Sequence, residues 1–88
     1  MRPFKQIAIS EGVFIREFSG DVDTEELVWH RDKEDRKVTV LEGNNWQLQM
    51  DNELPVSLEV GKTYFIPKLF YHRVLKGTTD LKIRIEEC

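Results

Sequence analysis

Two histidines are the side chains of this 88-residue chain whose type best suits metal binding or acid–base chemistry near neutral pH. His30 and His72 are its only histidines, and Asp32 follows His30 by two residues. Side chains alternate between the two faces of a strand, so residues 30 and 32 would share a face if they lie in one. Imidazole nitrogens and carboxylate oxygens are common ligands of transition metals. A lone histidine is more often structural, so these residue types alone leave both interpretations open.

His72 ends a stretch, residues 61–72, whose composition predicts a turn and a short strand. Gly61 tolerates the backbone angles of a turn. The stretch Thr63–Ile66 favours a pleated, half-buried strand. Pro67 cannot donate a hydrogen bond to a sheet, so this strand is expected to end there.

The rest of the chain is a series of short β-prone segments separated by turn signals. The predicted strands are 4–9, 13–18, 26–32, 38–41, 46–50, 55–60, 63–66, 72–76 and 81–85. Residues 24–27 carry a capping signal for one helical turn, but no helical period follows, which favours a loop leading into a strand. About nine short strands without a substantial helix predict an all-β sandwich or barrel.

Composition and charge limit the classes of function. The net charge is −3 with both signs scattered, which argues against binding a nucleic-acid backbone. No apolar run approaches membrane-spanning length, and residues 1–6 lack the apolar core of a signal peptide. Cys88 is the only cysteine and cannot form a disulfide within the chain. We therefore expect a cytoplasmic protein of one small domain, residues 1–88, that binds a small molecule.

The spacing around His72 resembles the second signature motif of the cupins, which are small jelly-roll barrels. That motif has the form G-x5-P-x-G-x2-H-x3-N. Gly61, Pro67 and His72 fall in register, whereas Leu69 replaces the second glycine and Lys76 the asparagine. The resemblance places motif 2 at about residues 61–76.

The first cupin motif, of the form G-x5-H-x-H-x3-E-x6-G, is matched less completely. His30 and Gly43 fall in register. Thr24 replaces the first glycine, Asp32 the second histidine and Arg36 the glutamate. The resemblance places motif 1 at about residues 24–43, so the departures fall on the family's metal ligands.

The resemblance implies an all-β cupin barrel of about nine short strands whose two motif strands face each other across the interior. It therefore implies that His30, Asp32 and His72 share one pocket. Two imidazoles and a carboxylate form the facial set that suits Fe(II) and leaves positions open for substrate and O2. Manganese, nickel and zinc suit the same ligands. Arg36 stands where the family has its fourth ligand, and a guanidinium cannot bind a cation.

Arg36 has two interpretations. In one, it lies beside the metal and holds an anionic substrate through a bidentate pair. In the other, it pairs with Asp32 and the pocket holds no metal. A cation near Arg36 in a low-dielectric pocket is unfavourable by several kcal/mol unless a carboxylate lies between them, which makes the position of Asp32 decisive.

Three further residues are predicted to contact a substrate because strand alternation points them inward. They are Trp46, Met50 and Tyr64. The alternative is that all three belong to the barrel core. Tyr64 is the most distinctive, because a phenol hydroxyl in an apolar pocket needs a hydrogen-bond partner.

These features predict, as the leading function, a metal-dependent cupin, dioxygenase-like, that acts on a small anionic molecule. One alternative is a metal-free binding or sensing module whose anion lies against Arg36. Another is a cofactor-free isomerase or epimerase with His72 as the general base.

Apolar residues with the opposite alternation predict contact with a second copy of the chain. They are Leu27, Trp29, Tyr71 and Leu75. A barrel would direct these side chains outward on adjoining strands, where an apolar patch is usually covered. The cover could be a second copy or the N-terminal strands of the same chain. A two-fold homodimer is therefore expected.

Overall fold

The strands of this chain form two antiparallel sheets, as seen in a computed structural model that describes residues 3–88. The strands are β1 (Phe4–Ser10), β2 (Val13–Phe18), β3 (Arg36–Glu42), β4 (Gln47–Met50), β5 (Val56–Ser57), β6 (Thr63–Ile66), β7 (His72–Leu75) and β8 (Leu81–Glu87). The larger sheet has the order β1-β2-β8-β3-β6, and the smaller has the order β5-β4-β7. The all-β prediction is confirmed, and residues 3–88 contain eight strands where about nine were predicted. No helix within residues 3–88 is long and apolar enough to cross a membrane.

The core lies between the two sheets, where the inward faces of the strands meet. Strand β8 shows the alternation most clearly, because Leu81, Ile83 and Ile85 are buried between β2 and β3. The buried apolar residues are Phe14, Phe18, Val22, Val38, Val40, Trp46, Leu48, Leu58, Ile66, Leu81, Ile83 and Ile85. Both sheets therefore contribute side chains to one continuous interior.

The turn between β6 and β7 delivers His72 to the interior. Strand β6 ends at Ile66, immediately before Pro67, as predicted. Leu69 has φ +62°, in the left-handed region that favours glycine. Its N–H donates a 2.7 Å hydrogen bond to the carbonyl of Asp32. This turn therefore joins the segment that carries Asp32 to the strand that carries His72.

The prediction of a strand at residues 26–32 is wrong. Residues Thr24–Glu26 form a single 3₁₀ turn, and the carboxylate of Asp23 accepts a 3.0 Å hydrogen bond from the Glu25 N–H. Such local side-chain bonding competes with a sheet ladder. Sheet pairing in this segment is limited to an isolated bridge between His30 and His72.

The apolar patch predicted to face outward is smaller than expected, because two of its four residues belong to residues 26–32, which do not form a strand. Leu27 packs against the core instead of facing outward. Trp29 is 41% exposed and Tyr71 is 44% exposed. The guanidinium of Arg73 lies 4.7 Å from the Trp29 ring centre, and that of Arg31 lies 5.2 Å from the Tyr71 ring centre. The homodimer stays a prediction, which sedimentation at micromolar concentration would test.

Candidate metal centre

His30, Asp32 and His72 converge at one place between the sheets. Each offers a ligand atom, and these atoms all lie within 4.8 Å of one another. The two imidazole ring centres are 4.3 Å apart. Reciprocal backbone hydrogen bonds of 3.0 and 2.9 Å between His30 and His72 hold the two residues side by side. The arrangement is of the kind that could hold a metal ion.

Both histidines are oriented by a backbone carbonyl two residues earlier. His30 Nδ1 lies 3.0 Å from the Val28 oxygen, and His72 Nδ1 lies 2.9 Å from the Phe70 oxygen. A carbonyl oxygen only accepts, so each Nδ1 must carry the proton. In this tautomer of the neutral ring, the lone pair is on Nε2. A hydrogen bond on the remote nitrogen is what usually fixes the tautomer of a metal-binding histidine.

Asp32 places a carboxylate oxygen against this lone pair. Its Oδ2 lies 3.3 Å from His72 Nε2, yet this buried oxygen has no hydrogen-bond partner. Burial is the main factor that lowers the pKa of His72 below its usual 6.5, which favours the neutral ring at pH 7. Two acceptor atoms in a buried position repel each other unless a proton or a cation lies between them. The donor set therefore fits a divalent cation.

Arg36 lies behind Asp32 and is shared between two carboxylates. Its Nη1 is 3.3 Å from Asp32 Oδ1. Its Nε and Nη2 donate to Oε2 of Glu87 at 3.3 and 2.9 Å. The ion pair with Asp32 that the metal-free interpretation requires is thus present. The guanidinium is paired on two sides, with Asp32 and with Glu87.

Glu87 is the residue of this site that the sequence reasoning missed. The signal was available, because Leu81, Ile83 and Ile85 alternate inward along β8 and residue 87 continues that alternation. Strands β3 and β8 also place Arg36 directly opposite Glu87. A charged residue that continues an apolar inward face predicts a partner of opposite charge inside.

A cavity of about 300 Å³ opens next to the three candidate ligands. Its apolar walls come from both sheets and include Val38, Leu48, Ile66, Val74, Ile83 and Ile85. Arg16, Glu26 and Arg36 also line it, together with His30, Asp32 and His72. A mainly apolar cavity with a few convergent polar groups is the usual form of a small-molecule site.

The other three predicted substrate contacts do not line this cavity. Trp46 is fully buried in the core, and its indole N–H donates a 2.7 Å hydrogen bond to the Thr79 carbonyl. The hydroxyl of Tyr64 donates to the Ser57 carbonyl at 2.8 Å. Met50 lies opposite His72 in the β4–β7 ladder and packs on the core. All three side chains point inward, but the polar atoms of Trp46 and Tyr64 bond to backbone groups and are not directed at the cavity.

Comparison with known proteins identifies the fold but no near relative. No protein-family model and no curated protein matches the sequence. The chain is similar to a DMSP lyase structure at 20% identity and a TM-score of 0.73, over 85% of this chain and 36% of that one. The chain thus spans about a third of that lyase.

Two further structures are similar over nearly the whole chain. An RmlC-like cupin with a double-stranded β-helix fold from Methanocaldococcus jannaschii aligns with a TM-score of 0.73 and 10% identity, over 100% of this chain and 80% of that one. An Fe(II)-HppE structure aligns with a TM-score of 0.69 and 16% identity, over 97% of this chain and 48% of that one. The two antiparallel sheets, the order of their strands and these similarities together show that the chain has the cupin fold.

Proposed function

We propose that this protein is a metal-dependent cupin enzyme in which His30, Asp32 and His72 hold one divalent cation, with Fe(II) preferred. The observation that carries the proposal is the buried Oδ2 of Asp32, which has no hydrogen-bond partner and faces the Nε2 of a neutral His72. A cation between these atoms would remove the repulsion. Two histidines and one carboxylate form the ligand set typical of non-haem Fe(II) oxygenases, and Fe(II)-HppE supports this choice by fold analogy alone.

When bound, such a cation would supply open coordination positions for a substrate oxygen and for O2. The residues of this chain contribute orientation and charge. The Val28 and Phe70 carbonyls orient the two imidazoles, and Nε2 of His72 lies 3.3 Å from Oδ2 of Asp32. Asp32 brings the negative charge that offsets part of the charge of the cation. The apolar walls exclude water and strengthen the electrostatic interactions at the site.

The substrate proposed is a small molecule with a mainly apolar body and an anionic or hydroxyl oxygen at one end. Its apolar part would fill the space lined by Val38, Leu48 and Ile66, and its oxygen would face the cation. Arg36 is better suited to holding Asp32 than to holding a substrate anion, because Asp32 and Glu87 already occupy its guanidinium. The reaction class proposed is oxygenation.

The test is the metal content of protein purified without chelator and without a metal-affinity step. We expect one equivalent of iron, or of manganese, nickel or zinc, and a rise in melting temperature when that metal is added back. Asp32→Asn should abolish both effects, whereas Asp21→Asn, at an exposed turn, should leave them unchanged. The absence of metal and of any metal-dependent rise in melting temperature would overturn the proposal.

A second candidate function is a metal-free module that binds a small anion. The specific observation in its favour is the 3.3 Å contact between Arg36 Nη1 and Asp32 Oδ1, since an arginine paired to the candidate ligand is what this function requires. It predicts a copurifying small anion detectable by mass spectrometry and a metal content near zero. These two results are the reverse of those expected for the enzyme.

A further inference from the structure

We infer that Arg36 and Glu87 form a clamp that positions the metal ligand Asp32, and that Glu87 sets metal affinity without touching the cation. The inference rests on the proposed metal site and adds two residues to it. Neither side chain of the clamp is expected to bind the metal. Both are positioning residues that act through Asp32.

The geometry of the clamp is a chain of three charged groups. Oδ1 of Asp32 faces Nη1 of Arg36, and the opposite edge of the guanidinium is bound by Oε2 of Glu87 through two nitrogens. The side chains of Asp32 and Arg36 are only 13% and 14% exposed. With Oδ1 held in this way, Oδ2 is directed at His72, whose Nε2 lies 3.3 Å away.

Glu87 can serve as the anchor because the backbone around it is fixed on both sides. Its N–H donates a 2.7 Å hydrogen bond to the Gly12 carbonyl, and the N–H of Cys88 donates a 2.9 Å hydrogen bond to the Asp35 carbonyl. The second of these bonds joins the end of β8 directly to the segment that carries Asp32. The carboxylate of Glu87 is therefore presented from a fixed position.

Asp32 needs such support because it lies outside every strand. The hydrogen bond from Leu69 N–H fixes its carbonyl but not its side chain. A carboxylate with free side-chain torsions loses conformational entropy when it binds a metal, so holding it in advance raises affinity. The bidentate fork of an arginine suits this role better than the point charge of a lysine.

Glu87 also corrects the electrostatic problem that Arg36 creates. An arginine next to a divalent cation weakens binding, but the charges of Asp32, Arg36 and Glu87 sum to −1, the same as Asp32 alone. Without Glu87 that sum is zero. The guanidinium would also be free to turn two of its nitrogens towards Asp32. It would then compete with the metal for the carboxylate.

The experiment is a double-mutant cycle on Mn(II) affinity, measured by calorimetric titration of the metal-free full chain. Glu87→Gln should weaken binding about tenfold, the size typical for a residue that orients a metal ligand. In the Arg36→Met background the same substitution should weaken binding by a clearly smaller factor, because the positioning of Asp32 is already lost and only the charge of Glu87 still acts on the cation. Glu86→Gln is the matched control, because Glu86 neighbours Glu87 but is paired with Arg84.

The outcomes separate this inference from the proposed function. No binding of Mn(II), and none of Fe(II) in the same titration, by the wild type would overturn both. Wild-type binding that Glu87→Gln leaves unchanged, or that it weakens equally in both backgrounds, would overturn the clamp alone. Glu87→Asp keeps the charge and shortens the reach, so it should fall between wild type and Glu87→Gln. It also provides a second test if Glu87→Gln does not fold.

Discussion

The two segments that meet at the site are built in different ways. His72 belongs to β7, where a regular ladder with β4 fixes its position. His30 and Asp32 belong to a segment whose only sheet pairing is the bridge at His30, and Asp32 is held by single contacts from Leu69 and Arg36. One half of this site, at His72, therefore depends on the backbone pairing of a regular ladder, whereas in the other half the Asp32 carboxylate depends on a side-chain contact with Arg36. Substitutions in the two halves should therefore have different consequences.

The largest effect is expected from Arg36→Glu, which breaks the side-chain half. It sets a carboxylate between Asp32 and Glu87 in a poorly hydrated position, and loss of a buried ion-pair partner typically costs about 3–5 kcal/mol of unfolding free energy. Denaturant unfolding of the metal-free protein measures this. A divalent metal should then restore stability more than it stabilises the wild type, because the new carboxylate would stand where the cupin motif that this sequence resembles has a glutamate.

Lys33→Glu is the control for that experiment, because Lys33 is an exposed cation in the same segment. It should alter the unfolding free energy by no more than about 0.5 kcal/mol. If Arg36→Glu changed stability as little as Lys33→Glu does, the side chains of this segment would not hold it as described.

His72→Ala tests the backbone half and should have a smaller effect on the fold. The β4–β7 ladder does not need the imidazole, so the unfolding free energy should fall by about 1–3 kcal/mol for the lost packing and hydrogen bond. Metal binding should be lost altogether. Circular dichroism and metal titration of one preparation separate these results, and a fully unfolded variant would show that the ladder alone does not hold β7.

Leu69→Gly should stabilise the contact between the two halves. Leu69 has φ +62° and is 56% exposed, so glycine relieves backbone strain while losing little burial. The expected gain is about 1 kcal/mol, which corresponds to a rise of about 4–8 °C in melting temperature for a domain of this size. Asn52→Gly, at φ +62°, is the control and should gain less, since asparagine tolerates this region. A lower melting temperature for Leu69→Gly than for the wild type would show that the backbone at Leu69 is not strained.

The smallest effect is expected from pH. Burial lowers the pKa of His72 in the folded, metal-free chain below the unfolded value of about 6.5. The unfolded chain therefore binds more protons in the window below pH 6.5, so this contribution to stability is present above that pH and is lost as the pH falls. Urea unfolding between pH 7.5 and about pH 5 should show that the unfolding free energy falls as the pH falls. This fall should be smaller in His72→Ala than in the wild type. An equal fall in both proteins would assign the dependence to other groups.

Regular alternation made much of the fold predictable from the sequence. Strand β6 and its end at Pro67 follow from β propensity and the missing donor of proline, and the inward face of β8 follows from period two. The segment at residues 26–32 was not predictable in this way, because the cap made by Asp23 outweighs the local β propensity.

The site was predictable to the extent that motif spacing carries it. His30, Asp32 and His72 were grouped by resemblance to cupin spacing, and they lie together. The hydrogen bonds of Trp46 and Tyr64 were not predictable, because their partners are carbonyls that only the folded chain brings near. Glu87 could have been found by extending the alternation of β8 by one step.

The most direct test of the metal site is a calorimetric titration of Fe(II), under anaerobic conditions, into metal-free wild type and Asp32→Asn. We expect one ion bound per wild-type chain and no measurable binding by Asp32→Asn, because the amide removes the charged ligand while keeping its shape. Equal binding by both proteins, or no binding by the wild type, would contradict the claim that Asp32 and the two histidines form a metal centre.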